Sequence, residues 1–177
     1  MNCFYSYLKE ENDDDSFFYT FPTNQNLLFT VYFKSYDYQD KLENYPNLLQ
    51  NGYAFGFMPI DIIPNVRKRK DSLVFPTIYE IMQDFISEKG NETTLLYHCD
   101  TLDKKHSYRD KLFNNWEKLI ENSNLVRHSL KVQLGVDENN HLEYVYLGFI
   151  TSKNNPFIDK IREEFDAFQI DLISQKQ

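Results

Sequence analysis

Hydrophobic and polar positions along this chain repeat with two different periods, and the switches between them predict its elements. From Phe17 to Phe21 (FFYTF) and from Leu27 to Phe33 (LLFTVYF) the residues are aromatic and β-branched. These runs predict two strands joined by a turn around Pro22 to Asn26. Tyr36 to Leu49 is polar and aromatic and reads as a loop with one helical turn. Tyr53 to Ile60 alternates Tyr53, Phe55 and Phe57 against Ala54, Gly56 and Met58, a strand pattern closed by Pro59 and Pro64. The period then lengthens. Ile78, Ile81, Met82, Phe85 and Ile86 fall on one helical face, with Thr77 and Glu80 at capping-box spacing and Gly90 as the terminating residue. Leu95 to Cys99 predicts a short central strand, and Lys104 to Glu121 a second helix with Tyr108, Leu112, Phe113, Trp116, Leu119 and Ile120 as its stripe.

Beyond it, Leu130, Val132, Leu134 and Val136 alternate with Ser129, Lys131, Gln133 and Gly135, which predicts a half-exposed strand. Asp137 to Asn140 forms a turn. Leu142 to Ile150 is apolar on both faces and therefore predicts an interior strand. Asn155 and Pro156 open a last helix that buries Ile158, Ile161, Phe165 and Phe168. The order is β-β-β-α-β-α-β-β-α. Antiparallel meanders mixed with about three helices predict an α+β fold, a single domain over 16–177 with a mixed, mainly antiparallel sheet. Residues 9–15, KEENDDD, precede it as part of an acidic arm over 1–15, read as solvated and mobile.

Composition narrows the function classes. The chain has 177 residues, 41% hydrophobic and 16% aromatic, enough to bury a substantial core. Its formal charge of −8 repels a phosphate backbone, so nucleic acid is not the expected partner. Arg67 to Lys70 is the densest basic run, but it is short and lacks interleaved aromatics, and a solvated loop accounts for it. Cys3 and Cys99 share no metal-type spacing, which fits free thiols in a reducing compartment. There is no 18-residue apolar run and no signal-peptide pattern at the start, so a cytoplasmic protein is expected, with no membrane partner.

Candidate chemistry concentrates where the strand ending at Cys99 passes into the next helix. His98, Asp100, Asp103, Lys105, His106 and Arg109 crowd that junction. Ligands in α/β proteins bind beyond strand carboxyl ends and at helix N-termini, so these six are the candidate ligand-binding residues. Lys105 and Arg109 lie one helical turn apart and could form a fork around a phosphate or carboxylate. The plainer alternative has Arg109 pairing with Asp103 or Asp100 to pin the loop, and Asp103 as a helix cap. Cys99 with His106 could make a nucleophile and base, but no oxyanion motif accompanies them, and a buried structural cysteine is the simpler reading. His98 and Asp100 on one face could share a metal, though no further clustered carboxylate supports it. No metal site and no cofactor is therefore assigned, since no phosphate-cradling glycine loop is present either.

The spacing Cys99-Asp100-x-x-Asp103-x-Lys105-His106-x-x-Arg109-x-Lys111-Leu112-Phe113-x-x-Trp116 resembles the signature of a bacterial domain-of-unknown-function family, DUF6169. Lys105 stands where that family has arginine, and His106 where it has glutamine. Lys153-Asn154-Asn155-Pro156 is similar to a lysine, acidic residue, asparagine, proline turn of the same family. The resemblance implies a bacterial intracellular protein and points to no activity. Two functional readings follow. One is a small interaction or regulatory protein without complete catalytic machinery, meeting another protein or a second copy of itself. The other is an enzyme or sensor that binds a small anionic, phosphate-bearing ligand at the 98–109 junction.

Overall fold

The computed structural model describes residues 4–35, 42–60, 71–99, 123–136 and 142–174, and within them the α+β class is as expected. The strands are β1 (Leu8–Glu11), β2 (Phe17–Pro22), β3 (Leu28–Ser35), β4 (Gly52–Pro59), β5 (Thr94–Cys99), β6 (Leu125–Val136) and β7 (Leu142–Ser152). The helices among the described residues are α1 (Pro46–Asn51), α2 (Val74–Lys89) and α3 (Ile158–Ser174). The helix expected over 104–121 lies outside the described residues, as does the basic run Arg67 to Lys70.

All seven strands join one sheet in the order β1-β2-β3-β4-β5-β7-β6, and every neighbouring pair but one is antiparallel. The exception is β4 with β5. Parallel neighbours need a crossover connection, and α2 supplies it. β5 and β7 sit inside the sheet, as their apolar runs require, whereas β6 runs along one edge and alternates buried Val132 with exposed Ser129, Lys131 and Gln133.

The hairpin turn between β2 and β3 is built as its residues dictate. Asn26 takes a positive φ of 57°, which asparagine tolerates, and the Thr23 hydroxyl accepts N–H bonds from Gln25 and Leu27. The acidic arm behaves differently from a free segment. Leu8–Glu11 pairs with β2 from Leu8↔Thr20 to Glu11↔Phe17, while all four side chains stay exposed. The run is solvated as expected, but its backbone is tied into the sheet. A short, charged outer strand suits a sheet edge, because charge discourages further pairing.

Each face of the sheet carries its own core. On one face α2 lays Ile78, Ile81, Met82, Phe85 and Ile86 onto Phe17, Tyr19, Phe21, Val31, Phe33, Phe55, Leu95 and Ile150. On the other, α1 and α3 place Leu48, Ile161, Phe165 and Phe168 against Leu96 and Phe149. Helix α2 begins a turn earlier than its cap pattern predicts, with Leu73 preceding Val74. Thr77 is therefore not the cap. It is buried within the helix, donates to the Leu73 carbonyl at 2.7 Å and accepts the Tyr5 N–H at 2.8 Å. Gly90 does end the helix, with φ at 107° and its N–H bonded to the Ile86 carbonyl.

Asn155 caps the approach to α3 by accepting the Phe157 N–H at 2.9 Å, three residues ahead of Ile158, the first fully helical one. It does more than cap. Buried at 3% exposure, its amide donates to Thr151 Oγ1 at 2.7 Å and to the Glu92 carbonyl at 3.1 Å. Thr151 in turn donates to the Thr93 carbonyl. One side chain thus binds the β7–α3 turn to the segment entering β5, and its hydrogen-bonding groups are satisfied although buried.

Candidate functional site

Sheet alternation decides which side chains can meet at the β5–β7–β6 end. Tyr97 faces the α2 side with Leu95, so His98 faces the opposite side with Leu96. The register aligns Tyr97 with Gly148 on β7, and Gly148 with Ser129 on β6, in one row across three strands. Gly148 is what lets the row close. A Cβ there would collide with the Tyr97 phenol, so only glycine allows the ring to lie across β7.

Lying there, the Tyr97 hydroxyl reaches β6 and accepts a 2.7 Å hydrogen bond from Arg127 Nε. Arg127 Nη2 donates to Ser129 Oγ at 3.1 Å. The guanidinium is therefore held by a buried tyrosine beneath it and a serine beside it, while remaining partly exposed. Farther along the same row direction, Lys131 stands opposite Tyr146 and Gln133 opposite Tyr144. Lys131 Nζ lies 3.9 Å from the Tyr144 ring centroid and 5.8 Å from that of Tyr146, within cation–π range of both. Two cations and three tyrosines are gathered on one sheet face.

The opposite face at this end has a different character. His128 contacts Asp166 of α3 at 3.0 Å and packs its ring against Phe149 and Phe165. Among the described residues, no three His, Cys, Asp or Glu side chains gather in a manner that could hold a metal ion. No helix among them is long and apolar enough to cross a membrane.

Of the six junction residues singled out in the sequence, His98 is described: it is exposed near the end of β5, with its backbone opposite Leu147. Asp100, Asp103, Lys105, His106 and Arg109 lie outside the described residues. Tyr45 and Tyr53, which flank α1, belong to opposite faces of the sheet. Tyr45 is buried under α3 and Tyr53 packs on Phe85 across the sheet. The residues that sequence reasoning passed over are Arg127, Tyr97, Tyr144 and Tyr146. The alternation of Arg127, Ser129, Lys131 and Gln133 was the available signal, since it puts two cations on the polar face of one strand. Nothing in the sequence shows that Tyr97 would reach across a glycine to meet them.

No curated protein matches this chain. Residues 70–167 match the Family of unknown function (DUF6169), a span that includes α2, β5, β6, β7 and most of α3 and with them every residue of the Tyr97–Arg127–Lys131 face. With more than half of its length matched, the chain belongs to the Family of unknown function (DUF6169).

Proposed function

We propose that this chain is a bacterial cytoplasmic interaction protein that meets an acidic protein partner through the sheet face built from Tyr97, Arg127, Lys131, Tyr144 and Tyr146. The observation that carries the reading is the positioning of Arg127: its Nε is fixed by Tyr97 and its Nη2 by Ser129, yet the group is still partly exposed. Arginine and tyrosine dominate binding energy in protein interfaces, and a guanidinium already held in place loses little rotamer freedom on docking. Lys131 over Tyr144 extends the same surface by a second cation. The chain's own excess of acid, −8 overall, sharpens this positive patch against its surroundings. Location in a bacterial cytoplasm rests on the spacing of its two cysteines and on the family resemblance.

A photo-crosslinking amino acid at Lys131, compared with one at Lys160 on α3, tests the reading in the native host. A discrete adduct from position 131 that weakens with salt and with Tyr144→Ala supports it. Equal adducts from both positions refute it. The second reading is a small phosphate-bearing ligand at the 98–109 junction, which lies inside the matched span. His98, Asp100, Asp103, Lys105, His106 and Arg109 would then contact the ligand. Under it, a thermal-shift screen of nucleotides, phosphates and coenzyme A yields stabilisation that Arg109→Ala removes.

A further inference from the structure

The two edges of the sheet differ in length and in charge. β1 has 4 residues, all exposed, and carries Glu10 and Glu11, whereas β6 runs for 12 residues and carries Arg127, His128 and Lys131 with no carboxylate. We propose, resting on the reading of an acidic protein partner, that this partner docks by adding an extended strand to the outer edge of β6. In that strand acidic side chains alternate with β-branched ones.

The first support is the direction in which the cationic and imidazole groups of β6 lean. Edge strands are commonly guarded by charged side chains spread over the edge itself. Here each one turns inward. Arg127 Nε bonds the hydroxyl of Tyr97 on β5 at 2.7 Å, and Lys131 Nζ lies 3.9 Å from the ring centroid of Tyr144 on β7. His128 contacts Asp166 of α3 at 3.0 Å and sets its ring on Phe149 of β7. Among the described residues no strand stands outside β6, and Ser129, Lys131 and Gln133 are exposed along it. No proline interrupts the ladder. The register runs unbroken from Leu125 to Gln133, where a bulge at Gln133/Gly135 shifts it and sets the far limit of the site.

The second support is the chemistry of the two faces that a new strand would continue. Lying about 4.8 Å beyond β6, it would place its side chains alternately on those same faces. On the α2 side they would stand beside Arg127, Ser129 and Lys131, where two cations held by tyrosines favour carboxylates. On the opposite side they would stand beside Val126 and Leu130, both half-buried, with Leu130 packed against the core under α3. β-branched side chains would complete that burial and suit a pleated surface. Backbone hydrogen bonds supply affinity in this mode of docking, and the alternating side chains supply specificity. Charge argues against β6 of a second copy as the occupant, because pairing β6 with itself sets cation beside cation.

An octapeptide alternating glutamate and valine, titrated into the full chain and followed by NMR and amide hydrogen exchange, tests the assignment. The expected result is saturable binding that weakens with salt. New protection should appear at every second amide between Leu125 and Gln133, since alternate N–H groups of an edge strand point outward. The same peptide methylated at all its backbone nitrogens keeps its charges but cannot pair, and it should bind roughly tenfold more weakly. Lys131→Glu should weaken the unmodified peptide by about tenfold, with the fold intact by circular dichroism. Equal binding of both peptides would overturn strand addition and leave an acidic partner on the sheet face standing. Binding of neither would overturn it too, while a salt-sensitive adduct from position 131 would still support that face as the meeting place. Affinity indifferent to Lys131→Glu would overturn the acidic character of the strand. Alternate protection that grows with protein concentration in the absence of peptide would overturn the foreign partner and assign the edge to a second copy.

Discussion

The two cores on either side of the sheet are held by different forces. Under α2 the contacts are aromatic. Phe85 stacks on Phe33 with centroids 4.0 Å apart and takes Phe17 and Tyr53 edge-on at 5.3 and 5.0 Å. Under α1 and α3 the apolar contacts are latched by polar groups. Glu164 of α3 accepts the backbone N–H of Asn47 at 2.9 Å and of Leu48 at 3.0 Å, and it also takes the Asn47 side-chain amide. Asp171 accepts the Tyr45 hydroxyl, and Asn155 ties the base of α3 to the segment before β5. A helix as short as α1, with six residues and no side-chain cap of its own, cannot hold itself. A carboxylate from a distant helix terminates it instead. The lesson is that a long amphipathic helix needs only its stripe, whereas a one-turn helix needs partners that compensate its free N–H groups.

The largest expected effect breaks the aromatic side. Phe85→Ala removes the ring that three others touch and should cost about 3–5 kcal/mol, a large share of a domain's stability. Chemical denaturation would measure it, and a loss under 1 kcal/mol would show that the rings are not the main support of that face. Asn155→Ala should come next, at roughly 2–3 kcal/mol, because the Glu92 carbonyl, Thr151 and the Phe157 N–H lose a partner together. Hydrogen exchange should then rise at Phe157 and in the first turn of α3 before it rises in α2.

Glu164→Ala sharpens the contrast further. It uncovers the α1 N–H groups at a cost of about 1–2 kcal/mol, and exchange at Asn47 and Leu48 should accelerate without a change in α2. Unchanged exchange there would mean that Glu164 does not cap α1 in solution.

The smallest effect is a titration. Burial, and then the Asp171 carboxylate, push the Tyr45 phenol from its ordinary 10 up to about 12. The folded state favours the neutral phenol, so this stabilisation is complete below pH 10 and is lost as pH rises through about 12. Stability measured across that alkaline window should fall less steeply in Tyr45→Phe than in the parent chain.

How much was legible follows from the same comparison. The α2 stripe could be read residue by residue, since Ile78, Ile81, Met82, Phe85 and Ile86 recur at the helical period and all five are buried. The half exposure of β6 and the interior position of β7 followed from alternation against continuous apolarity, while the edge position of β6 did not. Thr77 misled because capping-box spacing also arises inside a helix, where a threonine hydroxyl can turn back to the carbonyl four residues earlier. Strand β1 has no alternation to read: Leu8, Lys9, Glu10 and Glu11 are all exposed, and pairing with β2 alone makes them a strand. At the candidate site the polar face of β6 was visible, while the bond between Arg127 and Tyr97 was not. It joins residues 30 positions apart and depends on a glycine in a third strand.

The sequence by itself determined the class of fold, the α2 stripe, the burial of Ile161, Phe165 and Phe168 on α3, though not of the half-buried Ile158, and the order of the described elements from β2 onward, because periodicity is a local property that each segment carries alone. Tertiary structure decided the rest. Which carboxylate caps α1, which amide closes the β7–α3 turn and which tyrosine holds Arg127 depend on distances set by the register of seven strands. Hydrogen bonds act over about 3 Å, so no pattern within one segment can foretell a partner that only folding brings near.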